Sequence, residues 1–195
     1  MPSPVAHSLT AYVIYRAAGQ VHAQRWQYLV LYLFAANAPD LDFVPGLLVG
    51  DPDLYHHGVS HSFGFAVLFA LALSLFLLFL KRDPIRRNFL IFFCLYSSHV
   101  VLDWLSVDTA FPYGVPFLWP LTDEYFIAPF RFLPDVSRAS SSRISFITSL
   151  FCLHNFWTVG VEFLLFSPVV WLVSIFRSRA TISARRKIFN ADEMN

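Results

Sequence analysis

Charge is what this 195-residue chain has least of: 14% of its residues are Asp, Glu, Lys or Arg, against roughly 25% in an average soluble domain. Formal net charge is only +1, so a polyanion such as nucleic acid is not indicated as a partner. Two cysteines are present, Cys94 and Cys152, each inside an apolar run. They are expected to be buried small hydrophobes, with a disulfide or a metal role as the lesser readings. No Gly-x-Ser-x-Gly elbow, catalytic-cysteine signature or phosphate-cradling glycine loop occurs, which removes the common covalent hydrolases and P-loop enzymes. The start, Met1-Pro2-Ser3-Pro4, lacks the basic region and unbroken apolar core of a cleavable signal. Membrane insertion is therefore expected through internal segments.

What the chain does have is apolar length. Hydrophobic residues make up 56% of the sequence. The run from His61 to Leu80 is about long enough to cross a bilayer core at 1.5 Å per residue. A basic, proline-broken turn over 81–87 follows, then a second apolar segment at 88–107, a mixed stretch at 108–143, and a third apolar segment at 144–176. Residues 5–19 and 25–38 read as two shorter helices. The expected architecture is a single all-α, membrane-embedded domain over 1–195, with about three full-length transmembrane helices and an N-terminal helical hairpin. The stretch 108–143 is expected to be a non-cytoplasmic or re-entrant loop. Basic loops stay on the cytoplasmic side, which places the 81–87 turn and the 177–195 tail inside. The other ends of the segments then meet at the non-cytoplasmic face.

Those ends carry the ionisable residues. His7, the Pro39-Asp40-Leu41-Asp42 run, the His56-His57-Gly58-Val59-Ser60-His61 stretch and the His99-x3-Asp103 pair all lie in or beside apolar sequence. Ionisable groups at membrane depth are costly and are usually paired, hydrated in a cavity or bound to metal. His99 and Asp103, four apart, share one helix face. Alone, that pair is equally a hydrogen-bonded structural contact, and Asp40 with Asp42 equally a solvated helix-ending turn. Together the set offers three to four imidazoles and three carboxylates, a mixture that suits a divalent transition metal, zinc first and then manganese or iron. One to three ions are expected. His154 and Glu162, eight apart in the last apolar segment, are weaker candidates, as readily a buried polar contact as ligands. Asp108, Asp123 and Glu124 read as solvated loop charges, and Arg131 and Arg138 as contacts to an anionic group or to lipid headgroups.

The ordered motifs His7, Pro39-Asp40-Leu41-Asp42, His56-x-Gly58-x-Ser60-His61-Ser62, His99-x3-Asp103 and Tyr113-Gly114-Val115-Pro116-x2-Trp119-Pro120 resemble the YdjM-type membrane-bound metal-dependent hydrolases. The resemblance covers about residues 5–125. That family is distantly similar to zinc-dependent phospholipase C and the single-strand nucleases of the same helical fold. The resemblance implies that His7, Asp40, Asp42, His56, His61, His99 and Asp103 are metal-site residues and that the reaction is hydrolysis of a phosphoester. One position departs from the pattern: the family usually has Arg where this chain has His57.

The expected function is accordingly a hydrolase of a bacterial-type inner membrane, with its site open to the non-cytoplasmic side. Its substrate would be an amphiphilic phosphoester, with membrane lipids as neighbours. Asp40 and Asp42 (one as general base) and His57 are the candidate catalytic residues. Two other readings remain: a metal-ion or proton transporter, and a membrane scaffold with a structural metal. The charge argument makes a prediction of its own. A topology reporter fused after Arg87 should read cytoplasmic, and a non-cytoplasmic signal there would overturn the orientation.

Overall fold

The computed structural model describes residues 1–18, 25–80, 84–109, 111–139 and 141–192. Side chains are described to Arg177. The expected basic turn is therefore described only from Pro84, with Lys81, Arg82 and Asp83 outside the described residues. So is the connection between the first two helices, as are the side chains of the tail beyond Arg177.

The described residues are mostly helical, with a turn segment at 50–58 and one long irregular region at 105–142. Helices α1 (Pro4–Ala18) and α2 (Arg25–Asn37) form the N-terminal pair, within a residue of the expected boundaries. A 3-10 turn at Ala38–Asp42 leads into α3 (Phe43–Val49), which ends at Gly50 with φ 95°, the left-handed conformation that glycine adopts at helix ends. A second 3-10 turn at Val59–His61 precedes α4 (Phe63–Phe79), and α5 (Ile85–Trp104) follows Pro84, a residue suited to opening a helix. Helices α6 (Arg143–Ser149) and α7 (Leu153–Asp192) complete the chain.

The expected apolar segment 144–176 is thus two helices. The break comes from tertiary contacts. The Asn155 amide donates to the carbonyls of Ser149 at 3.3 Å and Leu150 at 3.1 Å, occupying the last acceptors of α6. Its oxygen accepts from the Ser137 amide at 2.7 Å.

Among the described residues one helix stretch, Leu153–Arg177, is long and apolar enough to cross a membrane. Three full-length spans were expected. Helix α4 has 17 residues, about 26 Å of rise against a core of about 30 Å. Helix α5 is long enough, but Arg86, Arg87, Asn88, His99 and Asp103 interrupt its apolar character.

Helices α1, α2, α4 and α5 pack around a core in which Ala11, Ala35, Ala36, Ala66 and Ala70 are fully buried. Small residues at crossings let backbones approach closely, and Tyr32, Phe92, Leu95 and Tyr96 fill the remaining space. Cys94 and Cys152 do not join this core: the first is exposed and the second half-buried, because each lies on an outward face of its apolar segment.

The region 105–142 closes one end of the bundle. Val115 and Phe126 exchange two backbone hydrogen bonds of 3.1 and 3.0 Å, and Val107 and Leu105 pair with Leu133 and Phe132. The Tyr113–Pro120 motif supports α4. Carbonyls of Phe117 and Trp119 accept from the amides of Phe63 and Gly64 at 2.9 and 3.1 Å, satisfying donors that the first turn of a helix leaves unpaired. The contact is so close that a Cβ on Gly64 would lie 2.3 Å from the Trp119 carbonyl oxygen.

Helix α7 runs parallel to α1 and holds both of its ends. At the N-terminus, the buried Glu162 carboxylate accepts from the Ser3 amide at 2.6 Å and from the Ser3 hydroxyl. At the C-terminus, the Arg177 guanidinium donates to the carbonyls of Arg16 at 2.9 Å and Ala17 at 2.6 Å. Acid on the positive end of the helix dipole and base on the negative end are both favourable. Glu162→Ala should destabilise the protein by about 1–3 kcal/mol, the range for a lost charged, buried hydrogen bond. Thermal unfolding in detergent measures this, and Glu162→Gln, which keeps an acceptor, should lose less.

Candidate metal centre

Four elements meet at the end of the bundle where α1 begins. His7 comes from the first turns of α1, Asp40 and Asp42 from the turn after α2, and His56, His57 and His61 from the segment before α4. His99 and Asp103 come from the last turns of α5. The structure brings all the metal-site candidates named from sequence into one connected cluster.

At its centre are Asp40, His61, His99 and Asp103. His99 Nε2 lies 3.1 Å from Asp103 Oδ2, 3.3 Å from His61 Nε2 and 3.4 Å from Asp40 Oδ1. His61 Nε2 lies 3.2 Å from Asp103 Oδ2 and 3.6 Å from Asp40 Oδ1. A tetrahedron of ligands about 2.0–2.1 Å from zinc has edges of about 3.3–3.4 Å, and these five separations scatter around that length. Among the described residues, Asp40 Oδ1 and both Asp103 oxygens accept no hydrogen bond despite the neighbouring ring nitrogens. These ligand atoms converge on a shared centre. Buried acceptors left in that state are expensive, and a cation between them removes the cost.

The outward nitrogens set this orientation. His99 Nδ1 is 2.8 Å from the Ala36 carbonyl. It must carry the proton there, which leaves Nε2 with its lone pair facing inward. His61 Nδ1 is 3.2 Å from Asp42 Oδ2 and 3.1 Å from the Ser60 hydroxyl, which itself donates to Asp42 at 2.9 Å. A metal-binding histidine fixed through its other nitrogen by a carbonyl or carboxylate is the usual arrangement. The Tyr96 hydroxyl, donating to the Ser60 carbonyl at 2.8 Å, holds this turn in place.

His7 stacks on His99 with centroids 3.7 Å apart, and its Nε2 is 3.5 Å from Asp103 Oδ1. Asp42 Oδ1 is 3.0 Å from His56 Nδ1, and Asp40, Asp42 and His56 form a second grouping able to hold an ion. Asp40 belongs to both. It is also the least buried central member, with 15% of its side chain exposed against 0% for the other three, so the cluster opens on its side. A third grouping joins His56, His57 and His61.

Electrostatics outside the helices agree with a cation-seeking pocket. Burial alone would push the His61 imidazole down, but contacts with Asp103, Asp40 and Asp42 hold its pKa well above the usual histidine value. Burial likewise opposes charge on Asp42, yet His56 and His61 keep its carboxyl well below the ordinary range. His56 is pushed down to about 3 by burial and by the neighbouring His57, so it is a neutral imidazole available to a metal.

His57 is buried and adopts φ 57°, a left-handed conformation costly for a residue with a Cβ. Its Nδ1 lies 3.5 Å from Asp108 Oδ2, and the same oxygen accepts from the Gly114 amide at 2.7 Å. Burial opposes the Asp108 charge, but His57 and this amide hold the carboxyl below its ordinary value. Asp108 was expected to be a solvated loop charge. The error has a local cause: only the turned backbone at His57 brings the two side chains together, and no spacing in the sequence announces it.

His154 and Glu162 lie outside the cluster. His154 is exposed and contacts the Asp135 carbonyl at 3.0 Å, while Glu162 caps α1. Arg138 pairs with Asp53 at 2.9 Å and lies 5.4 Å above the Phe43 ring, which stacks on His56.

Asp108→Ala should destabilise the fold by about 1–3 kcal/mol through loss of charged hydrogen bonds, read by thermal unfolding. Metal content should stay unchanged, since Asp108 is outside the groupings able to hold an ion.

The chain matches the model of the YdjM inner membrane protein family over residues 1–181, and it belongs to that family. The likeness therefore extends well past residue 125, where the recognised motifs end, and takes in α6 and the apolar part of α7. No curated protein and no solved structure matches the chain.

Proposed function

We propose that this YdjM-family inner membrane protein is a metal-dependent hydrolase that cleaves a phosphoester in an amphiphilic substrate. The observation that carries the reading is the convergence of Asp40, His61, His99 and Asp103 at tetrahedral-edge spacings, with buried acceptors that take no hydrogen bond. A mixed imidazole and carboxylate set suits zinc, with manganese or iron as alternatives. When bound, such an ion would supply a Lewis acid that activates water and polarises a phosphoryl oxygen.

Four protein ligands around one ion make a closed, structural arrangement. Asp40 supports a hydrolytic reading because it is shared with the Asp42–His56 grouping. Asp40, Asp42 and His56 would hold a second ion beside the first, and a two-ion site would supply activated water and stabilise both the attacking and the leaving oxygen. Asp42, already accepting from Ser60 and His61, orients His61 and is placed to take a proton as general base. His57 presents Nε2, which has no partner among the described residues, beside His56 and His61 at ring separations of 4.2 and 5.0 Å. It is the group here to contact an anionic substrate where the family usually has Arg.

The non-cytoplasmic placement draws support from Arg16 and Arg177, which lie together at the end opposite His7, as the positive-inside tendency would have them. A transporter would need polar groups through the depth of the bundle. Between His99 and Asn88, however, α5 buries Leu95 and Phe92 against Ala70.

Metal analysis of purified, metal-replete protein tests the proposal. Wild type should carry about two equivalents of zinc or manganese, and His99→Ala/Asp103→Ala should lose the central ion. Asp42→Ala should weaken affinity about 10–100-fold. Hydrolysis of a chromogenic phosphodiester should vanish with a chelator and return with metal. Wild-type protein without metal would sink the reading, and a single tightly held ion without hydrolysis would favour the scaffold.

A further inference from the structure

Helices α3 and α6 are short, adjacent in space and apolar on their outer faces. Leu48 and Val49 of α3 are 71% and 64% exposed, and Ile144 and Ile147 of α6 are 77% and 54% exposed. Their inner faces are satisfied. Phe43 and Phe146 pack with centroids 5.3 Å apart, and the Arg143 guanidinium donates to the Leu48 carbonyl. Two seven-residue helices joined this way present a continuous apolar patch that neither buries, and such patches mark docking surfaces.

Two observations say what covers it. First, the patch is followed directly in the chain by the apolar stretch of α7. Only residues 150–152 separate α6 from the apolar stretch Leu153–Arg177, which packs on α1 through Glu162 and Arg177 and leaves most of its apolar residues exposed. Phe151, at 75% exposed, bridges the two. Second, an exposed tryptophan marks a level along α7. Trp157 is 59% exposed and lies about 30 Å before Arg177 at 1.5 Å per residue, the thickness of a bilayer core. Tryptophan prefers the membrane–water boundary. Helix α6 lies just before Trp157 in the chain, at the boundary level on the metal-centre side.

We infer that α3 and α6 form an interfacial platform seated in the lipid leaflet on the metal-centre side, with Leu48, Val49, Ile144 and Ile147 among the acyl chains. Asp51, Ser141 and Arg143, all exposed, form its polar rim at headgroup level. The platform reaches the cluster itself, since Phe43, the first residue of α3, stacks 3.8 Å from His56. An amphiphile lying in that leaflet would therefore approach with its tail on the platform and its headgroup toward Asp40 and Asp42. The platform stands on exposure and continuity alone and does not depend on the metal.

Nitroxide accessibility tests it in the full chain, reconstituted in nanodiscs of phosphatidylethanolamine and phosphatidylglycerol, with Cys94→Ser and Cys152→Ser as background. Labels at Leu48→Cys and Ile147→Cys should collide with oxygen several times more effectively than with a water-soluble nickel chelate. Labels at Asp51→Cys and Ser141→Cys should show the reverse order. Nickel access at Leu48 and Ile147 equal to that at Asp51 would overturn the platform. So would shielding of both labels from both colliders, which would mean that protein, such as a second copy, covers the face. Neither result bears on metal content, so failure of the platform and failure of the hydrolase reading are separately visible.

Discussion

Everything at the functional end of this protein depends on lone pairs that share a dry space. His61 Nε2 and His99 Nε2 lie 3.1–3.6 Å from Asp40 Oδ1 and Asp103 Oδ2, and among the described residues those carboxylate oxygens accept no hydrogen bond, although buried acceptors normally do. Positive charge at the shared centre, from a cation or from a protonated imidazole, offsets the buried carboxylates. The surrounding contacts are arranged to keep that charge in one place. The Ala36 carbonyl on His99 and the Asp42 carboxylate on His61 fix which nitrogen faces inward. The alanines around Ala36 allow the helices to come close enough for that carbonyl to be reached.

The same carbonyl belongs to the last turn of α2, where helix geometry leaves acceptors without partners. His99 therefore completes a helix end and a candidate metal ligand set with one side chain. Phe117 and Trp119 do the equivalent for the start of α4, two residues beyond His61. Folding and assembly of the centre are in this sense one event, because the contacts that satisfy helix termini are also those that aim the ligands.

Much of this was legible in the sequence. Apolar runs and proline or glycine boundaries place α1, α2, α4 and α5 to within a few residues, and the histidine and aspartate spacings bring together the side chains that the structure finds in contact. The misses share a physical cause: each depends on contacts that no residue spacing announces. Phe43–Val49, for which no element was expected, is helical despite its Pro and Gly, with Gly46 so close to the Asp51 and Pro52 carbonyls that a Cβ would overlap them. The division between α6 and α7 is made by Asn155 reaching back to carbonyls, in sequence that is apolar on both sides. Asp108 and Glu162 take their roles from partners 51 and 159 residues away, which no local pattern announces.

The parallel pairing of α1 with α7 has a metrical consequence. Glu162 and Arg177 hold Ser3 and Arg16–Ala17 over nearly equal numbers of residues on the two helices, so the spacing of one helix is matched to the other at both ends. A slip of one residue would break both attachments together. The helix that contacts lipid thus acts as a ruler for the helix that carries His7. The position of the centre along the bundle is set by the rise of α7, and a tilt of α7 would carry the His7 end of the centre with it.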